Sequence, residues 1–180
     1  ERVFEVGSVF RAEPSYTTRH VTEFTGLDAE MGFIESMEDV MQMLEKTMYH
    51  VLAHIGSTCQ SSLTLYDATI PEPVAIPRIR LAEAFEILKT EYGKELEEGD
   101  IDSEGERMIG EYVKKKYNSD FVFLTHYPTA TRAFYSLPSP ENPKFCESYD
   151  LVFRGVEIAS GAQRVHDYNQ LKSIIESRGL

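Results

Sequence analysis

Strand-like sequence in this chain comes in adjacent runs, and that arrangement constrains the fold more than any other feature. Val3 to Val6 and Val9 to Glu13 flank Gly7-Ser8, a turn signal, and His20 to Met31 reads as a further strand after a polar loop at Pro14 to Thr18. Towards the other end, Ser148 to Phe153 and Val156 to Ile158 flank Arg154-Gly155, a hairpin signal, after short apolar runs at Phe121 to Leu124 and Arg132 to Leu137. Tight turns join antiparallel strands, whereas parallel strands need long crossovers. The pattern predicts an α+β fold, an antiparallel sheet flanked by helices.

The helices sit between these runs. Ser36-Met37-Glu38-Asp39 resembles a capping box, followed at helical spacing by Met37, Val40, Met41, Leu44, Met48, Val51, Leu52 and Ile55, with Gly56 as the stop. Ile70 to Pro77 is a proline-punctuated connector. Leu81, Phe85, Leu88 and Tyr92 mark a helix ending at Gly93, and Ser103 with Glu106 opens another that stops near Asn118. Asp167 with Gln170 caps a last helix, with Leu171, Ile174 and Ile175 inward and Gly179 at its end.

With 180 residues, 42% of them hydrophobic, the chain can bury one core, and no apolar run is long enough to span a bilayer. Its two cysteines, Cys59 and Cys146, lie far apart and outside any metal-ligand spacing. That argues against a disulfide scaffold or zinc site and predicts a reducing, cytoplasmic setting. The net charge of -12 argues against a broad nucleic-acid surface, although much of the acid lies in Glu95 to Glu106. Asp100-x-Asp102-x-Glu104-Gly105 approaches a calcium loop, but Arg107 stands where an aliphatic belongs and Ser103 with Glu106 starts a helix inside the loop. His50 and His54, one helical turn apart, have no third ligand at fitting spacing.

Two constellations carry chemistry. The first is Phe10-Arg11-Ala12-Glu13, a loop, then Arg19-His20-Val21-Thr22-Glu23-Phe24. Arginines grip phosphate oxygens in a planar fork, a carboxylate accepts amino hydrogens of adenine, and an aromatic ring stacks a base. In the strand that follows, Phe24, Gly26, Asp28 and Glu30 share one face, suited to a polar cleft, and Leu27, Ala29 and Met31 share the other, suited to a core. The second constellation runs from Gly155 through Glu157, Ser160 and Arg164 to His166. A carboxylate, a hydroxyl and phosphate oxygens make a magnesium shell. Glu157 and Ser160, three positions apart, would face opposite ways on a regular strand. Both reach one site only if the strand bends or ends there, and Ser160-Gly161-Ala162 supplies small residues for that.

The first constellation closely resembles the second signature motif of class II aminoacyl-tRNA synthetases. The run Gly155-Val156-Glu157-Ile158-Ala159-Ser160-Gly161-Ala162-Gln163-Arg164-Val165-His166 resembles aspartyl-tRNA synthetases of the archaeal and eukaryotic kind. Gly26 to Met31, Asp100 to Arg107 and Arg132-Ala133-Phe134-Tyr135 resemble that group too, so the likeness covers nearly the whole chain. It implies that residues 1–180 are part of a catalytic domain. The first motif with its dimer interface, the third motif with its ATP-binding arginine and an anticodon-binding OB domain are expected outside, and the segment alone is expected to be inactive.

The resemblance implies roles. Arg11 would contact the α-phosphate and the aspartate α-carboxylate, Glu13 the adenine amino group, and Phe24 the ring. Arg19, His20 and Val21 would line the nucleotide pocket. Glu157 and Ser160 would hold Mg2+, with Glu157 also at the ATP and Ser160 at the aspartate. Arg164 would read the aspartate side-chain carboxylate, and Asp28 and Asp150 would hold its ammonium group. The implied partners are aspartate, ATP, tRNA held mainly by other domains, and a second subunit, with no membrane. Three rivals stand beside this reading: an asparaginyl enzyme or asparagine synthetase of the same fold, a nucleotide-binding paralogue that charges no tRNA, and a structural or interaction domain.

Overall fold

The computed structural model describes residues 1–13, 21–96 and 99–179, and the chain divides into two compact units, Glu1–Gln42 and Met43–Leu180. Arg19, His20 and the loop from Pro14 to Thr18 lie outside the described residues.

The first unit is built on an antiparallel ribbon of β1 (Arg2–Phe10) and β2 (Glu23–Met31), in register from Arg2 opposite Met31 to Phe10 opposite Glu23. The predicted turn at Gly7-Ser8 does not form. Gly7 instead pairs across the ladder with Gly26, and strand pairing on both sides holds the two glycines extended. Leu27, Ala29 and Met31 do share a face, together with Phe4 and Val6, but it is no core: Leu27 is 62% and Phe4 76% exposed. A two-stranded ribbon has no second layer of its own to cover a face.

Helix α1 (Met37–Thr58) starts as the capping pattern predicts, with the Asp39 carboxylate accepting from the backbone N–H groups of Glu35 at 2.8 Å and Ser36 at 3.1 Å. These bonds hold the Asp39 carboxyl below its usual range. The helix runs past Gly56 to Thr58, where the hydroxyls of Ser57 and Thr58 bond back to the His54 carbonyl. Short α2 (Gln60–Leu65) follows, which the sequence pattern did not indicate.

The second unit holds a four-stranded sheet in the order β3-β4-β5-β6: β3 (Arg78–Arg80), β4 (Phe121–Thr125), β5 (Ser148–Phe153) and β6 (Val156–Ala162). It is antiparallel except at its edge, where the unforeseen β3 runs parallel to β4. Helices α3 (Leu81–Tyr92) and α4 (Ser103–Tyr117) cover one face, burying Leu88, Ile109 and Val113 with Val122, Leu124 and Val152. Tyr49 of α1 meets Phe121 edge-on at 5.9 Å on the other face, beside the ion pair of Glu45 and Arg78 at 2.7 Å. Helix α5 (Tyr168–Ser177) is capped by Asp167 as predicted, though Leu171, Ile174 and Ile175 are only half-buried.

Two local details differ from the sequence reading or sharpen it. The cap of α4 is Asp102, one residue before the predicted Ser103. Its carboxylate accepts from the Gly105 N–H at 2.7 Å, and Lys94 pairs with Asp102 at 3.0 Å and Glu104 at 2.5 Å. The acids of the apparent calcium loop thus serve the start of a helix. Asp102→Ala should lower stability by about 1 kcal/mol, measured by urea denaturation, because an orphan N–H loses its acceptor.

The β5–β6 turn has positive φ at both Arg154 (48°) and Gly155 (80°), the geometry that matches strand twist in a two-residue hairpin. Gly155 also abuts α4: a Cβ there would lie 2.7 Å from Arg107 Cα. Gly155→Ala combines left-handed strain with a backbone clash and should cost roughly 2–4 kcal/mol in chemical denaturation. A variant as stable as the wild type would show that α4 can move away from the turn.

Candidate active site

The ribbon of the first unit places Phe24, Asp28 and Glu30 on one face. Val9 lies opposite Phe24, Glu5 opposite Asp28 and Val3 opposite Glu30. Arg11 extends the ladder one step, its N–H donating to the Thr22 carbonyl at 2.9 Å, and its guanidinium stands 5.3 Å from the centroid of the Phe24 ring. Phe24 is 37% exposed, so its ring can take a partner. Gly26 separates Phe24 from Asp28, and the space there is tight: a Cβ would come within 3.0 Å of Val9 Cγ2 and 3.2 Å of Asp28 Oδ2. Glu13 is half-buried and Val21 is exposed.

In the second unit the sequence posed a geometric problem that the sheet solves. Glu157 and Ser160 both lie in β6, which runs straight on to Ala162. Between them the ladder slips: Val152 pairs with Glu157 and Leu151 with Ala159, so Ile158 is the extra residue of a β-bulge. Residues directly opposite in an antiparallel pair project to the same side. Val152 and Glu157 therefore share a face, and Asp150, two residues before Val152, shares it with its own partner Ser160. The bulge re-phases the strand and brings Asp150, Glu157 and Ser160 to one side. The bend expected at Ser160 to Ala162 is replaced by a bulge two residues earlier. Gly161 serves packing instead, since a Cβ there would lie 2.5 Å from Cζ of buried Tyr149.

Asp150 is 5% exposed. Its Oδ2 accepts from Arg132 Nη2 at 2.5 Å, while its Oδ1 is buried with no hydrogen-bond partner among the described residues. The neighbouring groups feel this carboxylate. Burial pushes the Tyr149 hydroxyl up to about 12, and Asp150 adds to that. Burial, then Asp150, raises Tyr127 well above the usual phenol range. For Arg132, burial opposes the charge, but the hydrogen bond and charge of Asp150 prevail and raise its pKa.

Arg164 lies just beyond β6, where Ser136 bridges to it and Val165 donates to the Tyr135 carbonyl at 2.8 Å. Its guanidinium sits 4.7 Å from the Tyr135 ring centroid. The predicted strand at Arg132 to Leu137 is a turn-rich segment held by such bridges, with Leu137 donating to the Gln163 carbonyl at 2.8 Å. Sequence reasoning did not single out Arg132 or Tyr127 as site residues. An arginine at the head of an apolar run distant from Asp150 in sequence gives no sign of pairing with it.

Magnesium can be weighed against these residues. Among the described residues no group of three or more His, Cys, Asp and Glu forms a metal cluster. Mg2+ takes one or two carboxylates and fills its shell with substrate phosphates and water. Two carboxylates and a hydroxyl on one face, one carboxylate with an unsatisfied oxygen, fit that demand.

The family described as tRNA synthetases class II (D, K and N) matches residues 1–180. An aspartate–tRNA(Asp/Asn) ligase of Aeropyrum pernix is 45% identical over 183 residues, covering 100% of this chain and 41% of the relative. An aspartyl-tRNA synthetase structure from Entamoeba histolytica superposes with a TM-score of 0.92 at 37% identity, over 99% of this chain and 38% of that one. An asparaginyl-tRNA synthetase structure from Pyrococcus horikoshii, complexed with asparaginyl-adenylate, gives a TM-score of 0.89 at 28% identity, over 100% of this chain and 42% of that one. The chain thus spans about two fifths of the length of such relatives. With its whole length matched and its ribbon and bulged hairpin in place, the chain belongs to the class II tRNA synthetase family that comprises the D, K and N enzymes.

Proposed function

We propose that the protein containing this chain is an aspartate–tRNA ligase, which activates aspartate with ATP to aspartyl-adenylate and diphosphate and passes the aspartyl group to the terminal ribose of tRNA. The observation that carries this reading is the bulge at Ile158, which sets Asp150, Glu157 and Ser160 on one face, with the stacked cation Arg164 a few residues on.

The chemistry asks for positioning and charge neutralisation. The aspartate α-carboxylate is already ionised at neutral pH, so its attack on the α-phosphate needs no general base. Arg11 would hold the α-phosphate and the attacking carboxylate together and neutralise charge as the bond forms. Phe24 would stack the adenine, Glu13 would accept its amino hydrogens, and Arg19, His20 and Val21 would line the nucleotide. Bound at Glu157, Ser160 and Asp150, magnesium would supply positive charge to the ATP phosphates. The unsatisfied oxygen of Asp150 favours that place for it over the substrate ammonium group, which leaves Asp28 for the ammonium. Arg164 would read the aspartate side chain. Binding of tRNA, a dimeric state and a cytoplasmic location belong to the same proposal. Among the described residues, no helix is long and apolar enough to cross a membrane.

ATP–pyrophosphate exchange by the full-length protein, run with each of the twenty amino acids, tests this reading. Exchange with aspartate alone is expected. Exchange with asparagine in preference to aspartate would transfer the protein to the rival specificity, and exchange with none would favour a paralogue that charges no tRNA.

A further inference from the structure

Asp150 is a buried carboxylate with one oxygen occupied and one orphaned. Burying such an oxygen without a donor costs free energy, and natural proteins rarely leave one so. The donor to the occupied oxygen is itself held against an aromatic ring. Arg132 Nη2 donates to Oδ2 at 2.5 Å, and the guanidinium lies 3.7 Å from the centroid of the Tyr127 ring. Tyr127 itself is buried at the end of β4, with Asp150 close enough to raise its pKa. The turn that carries Arg132 is fastened in turn by the end of α5. Arg178 donates from Nη2 to the Thr129 carbonyl at 2.8 Å and from Nη1 to the Arg132 carbonyl at 3.3 Å.

We infer that Arg132, stacked on Tyr127, is a positioning residue that fixes the Asp150 carboxylate by Oδ2 and so reserves Oδ1 for the cation that accompanies ATP. The inference rests on the cation reading given above for Asp150, Glu157 and Ser160. Its physical basis is the shape of the guanidinium. A planar fork on an aromatic ring has few orientations, so the carboxylate bonded to it has few as well. Without Arg132, the carboxylate is free to turn both oxygens towards other donors, and Oδ1 is no longer held in place. Groups that orient metal ligands matter in proportion: their removal commonly weakens metal binding about 10–100-fold.

The test uses the full-length enzyme and two readouts. One is the Mg2+ concentration for half-maximal pyrophosphate exchange, and the other is Mn2+ affinity in the presence of ATP, read by electron paramagnetic resonance. Arg132→Met keeps an unbranched apolar stem but removes the guanidinium, and with it the donors to Asp150 and the stack on Tyr127. It should raise the half-maximal Mg2+ and weaken Mn2+ binding by at least about tenfold. Arg132→Lys keeps the charge and one donor and should recover part of that loss; it also serves if Arg132→Met does not fold. Lowered melting temperature with unchanged Mg2+ and Mn2+ affinities in both variants would make Arg132 a structural ion pair and overturn the inference. Tighter Mn2+ binding in Arg132→Met would overturn it too, since Arg132 would then act as a competing cation. Asp150→Asn separates the inference from the reading beneath it. If Asp150→Asn weakens Mn2+ binding and Arg132→Met does not, only the role of Arg132 falls. If neither does, the cation site itself is misplaced.

Discussion

Arg164→Leu in the full-length protein is expected to reduce kcat/KM for aspartate in pyrophosphate exchange by about a hundredfold or more, while direct ATP binding stays unchanged. Arginine is a permanent planar cation able to make two parallel hydrogen bonds to a carboxylate. Its stack on Tyr135, 4.7 Å to the centroid, restrains the plane of the fork before substrate arrives. Asparagine offers one acceptor oxygen in the same place and turns an N–H towards a donor. A mismatched buried polar group costs about 1–3 kcal/mol, and more where charge is involved. ATP affinity should survive because Arg11, Glu13 and Phe24, which would hold the nucleotide, are left unchanged. Aspartate activation with an unaltered Michaelis constant in Arg164→Leu would remove the main physical ground for aspartate over asparagine.

Glu157→Gln should slow adenylate formation by roughly a hundredfold to a thousandfold at limiting Mg2+, the scale of losing one preorganised electrostatic group at a reacting phosphate. The amide preserves size and removes the charge, so the bulge at Ile158 and the fold should stay intact, and the melting temperature should hardly move. Raising Mg2+ should recover part of the rate if the defect is one of cation binding. His50→Ala and His54→Ala, at exposed positions on α1, serve as controls and should leave exchange unchanged. A Glu157→Gln enzyme with normal exchange at limiting Mg2+ would take Glu157 out of the cation shell.

Much of the architecture is legible in the sequence where local chemistry and tertiary packing agree. The stop at Gly93, the left-handed Asn118, the Arg154-Gly155 turn and the Asp167 cap all appear where the residue types predict them. Prediction fails where long-range pairing overrides local preference. Gly7-Ser8 is a turn pair by composition, yet it lies extended because Gly26 and Thr25 pair with it. Three-residue β3 is invisible as periodicity and exists because Arg78 to Arg80 pair alongside Phe123 to Thr125. Arg132 to Leu137 has strand-like composition, but it forms turns, with an isolated bridge from Ser136 to Arg164 in place of a ladder.

The candidate site divides in the same way. Residue types and the family resemblance mark Arg11, Glu13, Phe24, Glu157, Ser160 and Arg164 from sequence. The pairing of Arg132 with Asp150 is not readable there, because it joins positions from different segments. Nor is the bulge, since the identity of Ile158 says nothing of its lacking a partner.

That bulge makes the phase between Glu157 and Ser160 a property of the site and not of the sheet. A designer tidying the hairpin would give Ile158 a rung of its own opposite Val152. Every residue would then have a partner, and the ladder would look sounder by any rule of strand design. Glu157 would move opposite Phe153 and turn to the side away from Asp150 and Ser160. Deleting Ile158 outright would be the gentler change, because Glu157 would stay opposite Val152. Anyone grafting this hairpin onto another scaffold can therefore keep the extra residue unpaired or leave it out, but must never let it pair.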